Sequence, residues 1–246
     1  MKIKPQESWD NSGLQVGSLN NDIKNIMLTL DLSYESAEYA ANNNIDLIIT
    51  HHPLLFHPIK SIDYGTYEGK IIRKLITHDI NLYSMHTSFD MAELGVGSKL
   101  AEKLGIEKYD VLHDVNEDNS GYGGIGYIKQ KNIIEYAKNV KDMLNTEHVK
   151  LYCEDQGRII SRVAFCGGSG SEFIEDAINK GADVYITGDI KYHNAQKAIQ
   201  NNLCIIDAGH YYTEYHSLEN IEEVLKKVKE IKVTLFEHNN VKELVI

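Results

Sequence analysis

The sequence predicts an α/β protein built from a duplicated unit. Two observations lead to this fold class: apolar, strand-like segments alternate with amphipathic, helix-like ones, and a stretch from the first half of the chain reappears in the second half. The chain has 246 residues, of which 42% are hydrophobic, so it can bury the core of one large domain or of two smaller lobes.

The first part of the chain alternates strand patterns with helix patterns. The segments IMLTLDL (26–32), DLIIT (46–50) and INLYSMH (80–86) have the composition of buried strands. Between the first two, YESAEYAANNN carries Ala37 and Ala40 at helical spacing, and YEGKIIRKLITHD reads as a second helix. In open α/β sheets ligands bind beyond the carboxyl ends of the strands, so we expect functional residues at these ends.

The second part of the chain contains strand patterns in YGGIGYI, HVKLYCE and ISRVAFC, and a helix pattern over 133–144. We interpret residues 122–160 as a small β/α element. The polar, glycine-rich stretch VNEDNSGYGG (115–124) is the best candidate for a linker. The sequence therefore predicts a first α/β lobe over 1–114 and a second over 115–246.

An internal repeat supports this division into two lobes. Residues 33–50 align without gaps with residues 170–187, pairing Asp46 with Asp183, and both copies read as helix, turn and strand. The copies then diverge and match again in LYSMHTSFD and IDAGHYYTE, so the second copy extends over 170–214. An accidental match between amphipathic helices is the alternative, but the shared strand ends favour duplication.

Two adjacent histidines follow one of the predicted strands. On a regular strand, His51 and His52 would point to opposite faces and could not share one ion. Because Pro53 ends the strand directly after them, both imidazoles could instead turn into one cleft and bind neighbouring metal ions. A hydrogen-bonded pair in the protein core is the alternative interpretation.

Two further histidines at strand ends each precede a carboxylate by four positions. Asp90 follows His86 and Glu214 follows His210, and a helix beginning at these loops would place each pair on one face. A single pair of this kind is more often a surface feature, but two at equivalent places in a repeat favour a metal site. Imidazole and carboxylate donors suit zinc, manganese, iron or cobalt, and two such ions can generate hydroxide at neutral pH.

Other motifs are weaker candidates. GGSGS (167–171) lies between a strand and a helix and resembles an anion-binding turn, but it lacks the lysine of a P-loop, so a plain tight turn is the alternative. Asp189, Lys191 and His193 follow the strand equivalent to the one before the histidine pair. They are interpreted either as contacts to a metal ligand or substrate, or as a capped helix start. The remaining histidines are expected to be surface or core polar residues: His57, His78, His113, His148, His216 and His238.

The composition argues against several classes of protein. The formal charge is -11, which disfavours the broad basic surface that non-specific nucleic-acid binding requires. The three cysteines are far apart in the sequence and form no CxxC, which predicts neither a disulfide scaffold nor a zinc knuckle and fits a reducing cytoplasm. No apolar segment is as long as a membrane span and MKIKP does not begin a signal peptide, so we expect a soluble, cytoplasmic protein.

Six motifs span essentially the whole chain: WDNSGLQVG (9–17), DLIITHHPLLF (46–56), HTSFD (86–90), GGSGS, TGDIKYH (187–193) and GHYYTE (209–214). In this order and spacing they resemble the GTP cyclohydrolase I type 2 homologues, also called the Ngg-interacting-factor-three-like family. The resemblance implies two intertwined α/β lobes with mixed sheets, a toroidal homohexamer and a dinuclear metal centre with two divalent ions per chain. By position, it implies the metal ligands His51, His52, Asp90, His210 and Glu214, and it places His86 near that centre.

Two functions remain in competition at this point. The first is a metal-dependent hydrolase whose activity, implied by the family name, is hydroxide attack on a nucleotide ring, with GTP as substrate and His86 as a candidate base. The alternative is a metal-containing binding or regulatory ring protein with protein or DNA partners and no GTP turnover. Four lysines could line such a ring, or simply form a solvated helix face: Lys129, Lys131, Lys138 and Lys141. A scaffold with a vestigial site is the third interpretation.

Overall fold

The computed structural model describes residues 5–115 and 120–241. These residues form two compact units, each built around its own mixed β-sheet. The unit that we call terminal contains described residues 5–89 and 218–241, and the unit that we call central contains 90–115 and 120–217. The predicted α/β class is therefore confirmed.

The strands and helices are numbered in chain order. The strands are β1 (Gly13–Val16), β2 (Asn25–Thr29), β3 (Leu47–Thr50), β4 (Asn81–Ser84), β5 (Tyr109–Asp114), β6 (Gly121–Asn132), β7 (Lys150–Tyr152), β8 (Ile159–Phe165), β9 (Val184–Thr187), β10 (Cys204–Asp207) and β11 (Lys232–Leu235). The helices are α1 (Tyr34–Asn42), α2 (Tyr67–Thr77), α3 (Thr87–Asp90), α4 (Val96–Lys103), α5 (Ile133–Met143), α6 (Ile174–Asn179), α7 (Tyr192–Gln200), α8 (His210–Glu214) and α9 (Leu218–Leu225).

The sheet of the terminal unit has the strand order β1-β4-β3-β2-β11. Only β1 runs antiparallel to its neighbour in this sheet, and the other pairs are parallel. Its central strands are apolar runs because helices cover the sheet: Ile48 on β3 and Leu82 on β4 share one buried cluster with Ala37 and Ala40 of α1 and Leu75 of α2. Each fully buried leucine or isoleucine of this cluster contributes about 1.5 to 3 kcal/mol to folding.

The sheet of the central unit has the strand order β5-β6-β8-β9-β10-β7. Its middle, β8-β9-β10, is parallel, whereas β5, β6 and β7 pair antiparallel with their neighbours. Side chains of β9 alternate between two apolar clusters: Val184 and Ile186 lie in one, and Tyr185 lies in the other. Because both faces of β9 are covered, the strand is buried along its whole length rather than on alternate residues.

The two units repeat the same local structure, as the alignment of residues 33–50 with 170–187 predicts. In each unit the aligned aspartate lies just before a parallel strand and accepts backbone hydrogen bonds from the neighbouring strand. Asp46 Oδ2 accepts from the amides of Lys24 and Asn25, and Asp183 Oδ2 accepts from the amides of Ser161 and Arg162. The duplication therefore extends to the side chains that fix strand register.

The units are divided differently from the predicted lobes over 1–114 and 115–246. The chain enters the central unit at Asp90 and leaves it after Ser217, because β11 returns to pair with β2. Part of the expected linker, 116–119, lies outside the described residues, and the rest of it includes the start of β6. The small element expected over 122–160 is not separate, since β6, β7 and β8 belong to the same sheet as β9 and β10.

The structure contains one disulfide, although the sequence predicts no disulfide scaffold. Cys153 and Cys204 form a disulfide, with Cα atoms 4.7 Å apart, because β7 and β10 pair antiparallel and close a separation of 51 residues. Cys166 is buried as a free thiol. Among the helices in the described ranges, none has both the length and the apolar character needed to cross a membrane.

Candidate metal centre

The terminal unit brings three histidines together beyond the ends of β3 and β4. The backbone amides of both His51 and His52 donate to the carbonyl of Leu30, at 3.1 and 3.0 Å, so the chain leaves the regular strand before Pro53. The two imidazole centroids lie 4.9 Å apart, and that of His86 lies 5.3 and 5.7 Å from them. One ring nitrogen of each histidine lies within 4.8 Å of the others, close enough for the three to share a metal ion.

In each of these histidines, Nδ1 contacts an oxygen acceptor. His51 Nδ1 lies 2.8 Å from the carbonyl oxygen of Met85, His52 Nδ1 lies 2.7 Å from Asp31 Oδ1, and His86 Nδ1 lies 2.8 Å from Asp10 Oδ1. An Nδ1–H that donates to such an acceptor leaves the ring's lone pair on Nε2, which is the arrangement of most metal-binding histidines. The three rings are thus held in place by groups outside the cluster.

Asp10 connects the N-terminal segment to His86. Its buried carboxylate also accepts from Ser12 Oγ at 2.7 Å, and from the amide and hydroxyl of Thr87 at 3.1 and 2.6 Å. Burial by itself raises the pKa of Asp10, but the hydrogen bonds from Thr87, His86 and Ser12 outweigh it and lower the pKa to about 2. Asp10 is therefore ionised at neutral pH and holds the His86 ring in place.

The central unit supplies a second set of donors. His210 and Glu214 lie one turn apart on α8, as the i,i+4 spacing predicts, with 3.1 Å between His210 Nε2 and Glu214 Oε2. A carboxylate oxygen of Asp90 lies within 4.8 Å of one from Glu214. Glu214 is only 5% exposed. A buried glutamate close to a second carboxylate and an imidazole forms a donor set that a divalent cation would stabilise.

Asp189 orients the central unit's histidine. It lies at a left-handed backbone position, φ 57°, and its Oδ2 lies 2.7 Å from His210 Nδ1. The sequence left two interpretations open for Asp189, and the structure favours the one in which it contacts a candidate ligand. Lys191 and His193 are exposed at the start of α7, where His193 Nδ1 lies 3.4 Å from Gln196 Oε1.

The GGSGS loop packs against Glu214 rather than forming an open anion-binding turn. The amide of Gly168 donates to Thr213 Oγ1 at 2.9 Å and that of Gly170 donates to Thr187 Oγ1 at 3.0 Å, so both serve internal bonds. Gly168 has φ +64°, and a Cβ there would clash with Glu214 Oε1 and lie 3.2 Å from His210 Nε2. The loop is a tight turn whose missing side chain admits the carboxylate.

Cys166 lies just before this loop and is also affected by the carboxylates. Burial, followed by the negative charges of Asp90 and Glu214, raises the pKa of the Cys166 thiol well above its ordinary value. The thiol is therefore neutral at neutral pH.

Other residues singled out in the sequence have ordinary surroundings. His78 Nδ1 lies 2.9 Å from the carbonyl of Lys74 at the end of α2, and His113 Nδ1 lies 3.0 Å from Asp176 Oδ2. Of the four lysines considered for DNA binding, Lys131 pairs with Glu135 at 3.6 Å. These contacts explain the residues as parts of the surface of each unit.

Two positioning carboxylates, Asp31 and Asp10, were missed in the sequence. Asp31 lies near the end of the predicted strand 26–32 and two positions after β2, so its place at a strand end was a usable signal. Asp10 gave a weaker signal, because it lies 76 positions from His86 in a segment without strand or helix pattern. Both act on histidines that the sequence did single out.

The fold and these donor sets define a duplicated α/β protein with groups that can hold metal ions. The chain belongs to the Duf34/NIF3 (NGG1p interacting factor 3) family, which matches over residues 1–241. This confirms the resemblance found in the sequence motifs.

Relatives and solved structures agree with this assignment. The chain is 40% identical to a GTP cyclohydrolase 1 type 2 homolog of Streptococcus pneumoniae over 93% of this chain and 88% of that protein. It is 36% identical to a GTP cyclohydrolase 1 type 2 of Helicobacter pylori over 85% of this chain and 80% of that protein. A crystal structure of a Staphylococcus aureus hypothetical protein superimposes with a TM-score of 0.89 at 29% identity, over 98% and 93% of the two chains.

Proposed function

We propose that the protein is a metal-dependent hydrolase with a dinuclear divalent-metal centre. The proposed ligands are His51, His52, Asp90, His210 and Glu214. The observation that carries the proposal is the shared hydrogen bonding of the histidines: in His51, His52 and His210, Nδ1 contacts an oxygen acceptor, as it does in most histidines that bind a metal ion through Nε2.

The chemistry of the donors fits divalent ions of borderline softness. Three imidazoles and two carboxylates match zinc, manganese, iron or cobalt better than calcium or magnesium, which prefer oxygen ligands alone. When bound, such ions lower the pKa of coordinated water toward neutrality. Within the chain, Asp31 and Asp189 would hold their histidines in the ligand orientation.

His86 is proposed to move protons beside this centre. Its ring lies next to both other histidines of the terminal unit, and its Nδ1 contacts the ionised Asp10. With Nδ1 held by a carboxylate, the ring of His86 is fixed in a position where it can accept a proton during the reaction and return it.

The proposed substrate class is a nucleotide whose ring is opened by hydrolysis, with GTP as the first compound to test. The support is the name of the Helicobacter pylori relative, GTP cyclohydrolase 1 type 2, together with the position of the donors beyond the carboxyl ends of β3 and β4. A family name alone does not fix a substrate, so activity has to be measured on this chain.

We also propose that six copies of the 27.9-kDa chain form a ring. The mass of the assembly would be measured by light scattering after size-exclusion chromatography.

The test combines elemental analysis with turnover. We expect about two divalent ions per wild-type chain, and clearly fewer in His52→Ala and Glu214→Ala. His78→Ala is the matched control, because this histidine also contacts an oxygen acceptor through Nδ1 but lies at the end of α2. Its metal content should equal that of the wild type.

Metal-loaded wild type should then release formate from GTP, and the ligand variants should not. A fully loaded protein that leaves GTP intact would overturn the substrate, and the binding or regulatory ring protein would become the better explanation. Metal contents that are equal in all four proteins would overturn the centre itself.

A further inference from the structure

Two exposed aromatic side chains flank His86 in the terminal unit. Trp9 is 58% exposed and Phe56 is 37% exposed, although large aromatic side chains usually bury most of their surface. Their ring centroids lie 6.1 Å from each other, and each lies 6.1 Å from the centroid of His86. The three rings therefore form one aromatic corner, which we call the Trp9–Phe56 corner.

Hydrogen bonds hold this corner in place although its two outer rings lie in different loops. Gln15 Oε1 accepts from the amide of Leu55 at 2.8 Å, and Gln15 Nε2 donates to the carbonyl of Asn11 at 2.7 Å. Asn11 Nδ2 donates to the carbonyl of Leu55 at 2.5 Å. Leu55 precedes Phe56 and Asn11 follows Trp9 by two positions, so the exposed rings are fixed by their own segments rather than left on flexible tips.

The same N-terminal segment also positions His86. The amide of His86 donates to Ser12 Oγ at 3.1 Å, and its ring is bound by Asp10. One short segment thus carries an exposed tryptophan, the carboxylate that holds the candidate base and the amide that fixes the Phe56 loop. A segment with these three roles is suited to placing a ligand against His86.

We propose that the Trp9–Phe56 corner binds the planar heteroaromatic ring of the substrate by stacking. This inference rests on the proposed function, since it assigns a substrate ring to the same site. Trp9 and Phe56 are inclined at 53° and are too close to admit a ring between them, so the ligand ring stacks on one and meets the other at its edge. A ring stacked on Trp9 at about 3.5 Å would lie within about 10 Å of His86.

The physical basis favours a nucleobase over a purely aliphatic or anionic ligand. The faces of Trp and Phe carry a negative quadrupole that attracts polarised, electron-poor heterocycles, and base stacking on such rings is tolerant of the identity of the base. Anion binding would need cationic groups, whereas the corner consists of rings bordered by the ionised Asp10. The ring centroid of Phe56 also lies 4.9 Å from that of His57, so the aromatic surface continues onto this side chain.

Trp9 is the only tryptophan in the chain, so it reports directly on its own site. Intrinsic fluorescence would be measured during titration with guanosine and, separately, with ribose 5-phosphate and inorganic triphosphate. We expect saturable quenching by guanosine and little change with the two ligands that lack a ring. The titration is done with both metal-free and metal-loaded protein, so that it does not depend on turnover.

Substitutions of Trp9 then distinguish the loss of a stacking contact from the loss of the fold. By calorimetry, Trp9→Ala should weaken guanosine binding by about 5- to 150-fold, the effect of losing one stacked base, and Trp9→Phe should retain most of it. Tyr192→Ala is the matched control, because Tyr192 is also exposed and lies beside a histidine, 5.2 Å from His193, in the central unit. Circular dichroism and melting temperature establish that each variant is folded.

The outcomes distinguish this proposal from the hydrolase itself. Absence of saturable quenching, equal quenching by triphosphate, or guanosine affinity unchanged in folded Trp9→Ala would each overturn the stacking site. A fluorescence change that depends on protein concentration without ligand would overturn it too, because a second copy would then cover the corner. Guanosine binding that requires Trp9, in a protein that releases no formate from GTP, would support the corner while rejecting GTP turnover.

Discussion

Replacing Gly168 with alanine tests the contact between the GGSGS loop and the candidate ligands. Gly168 has φ +64°, and the added Cβ would clash with Glu214 Oε1. Two separate penalties follow: a left-handed backbone conformation costs an alanine about 1 to 2 kcal/mol, and forcing an atom into a packed site costs a further 1 to 3 kcal/mol or so. Glu214, only 5% exposed, has little room to move away.

Gly105 offers a control that isolates the second penalty. It lies in the same unit with φ +72°, but a Cβ there would meet nothing within 4 Å. Gly105→Ala therefore pays the backbone cost alone. We expect it to melt a few degrees below the wild type, at roughly 2 to 4 °C per kcal/mol for a chain of this size, and Gly168→Ala to melt several degrees lower again.

Metal content provides the second measurement on the same pair. Displacement of the Glu214 carboxylate should lower the metal content of Gly168→Ala after dialysis, while Gly105→Ala should bind as the wild type does. Melting temperatures measured by calorimetry on metal-free protein test the packing independently of any ion. If the two variants melt alike and bind metal alike, the loop does not constrain Glu214 and the reasoning fails.

The remaining predictions concern charge, register and redox state. Because the pKa of Asp10 is lowered, its ionised form stabilises the fold above about pH 4, and this contribution is lost as the pH falls through about 2. Asp10→Asn should therefore be about 1 to 2 kcal/mol less stable than the wild type at pH 7, measured by denaturant unfolding. The difference between the two proteins should shrink in acid. A gap that stays constant down to pH 2 would contradict this. Asp46→Ala and Asp183→Ala each remove two backbone hydrogen bonds to a neighbouring strand, so both should lower stability by a similar amount, about 1 to 3 kcal/mol; an effect confined to one copy would argue against equivalent roles. Thiol titration of denatured protein should find one reactive cysteine before reduction and three after it, because Cys153 and Cys204 are linked; three thiols without reductant would show that the pair is reduced.

The main elements could be predicted because their signals are local. The apolar run of β3 and the helical spacing of Ala37 and Ala40 are patterns within a few residues, and burial then selects the strand and the helix face. The duplication was visible for the same reason, since the aligned segments keep their strand ends. The two copies differ in length after the equivalent strands β4 and β10. His86 lies two positions after Ser84, the last residue of β4, whereas His210 lies three positions after Asp207, the last residue of β10.

What escaped prediction depends on contacts between distant parts of the chain. The extra residue in the second copy is accommodated by Gly209, whose φ of +83° is not evident from the motif. The Cys153–Cys204 pair required the knowledge that β7 lies beside β10, and the division into units required the pairing of β11 with β2. Strand order across a sheet leaves no periodic trace in the sequence, so such contacts become visible only in the folded chain.

The pairing of β2 with β11 also has a consequence for biosynthesis. As the chain is translated, β2 is exposed to solvent along one edge until β11 has left the ribosome, because Lys232–Leu235 is its partner on that side. The central unit, in contrast, is complete once Ser217 has been made. We expect the nascent protein to fold from its middle outwards, with the open edge of β2 as the surface at which chaperones are needed and at which prematurely released chains would aggregate.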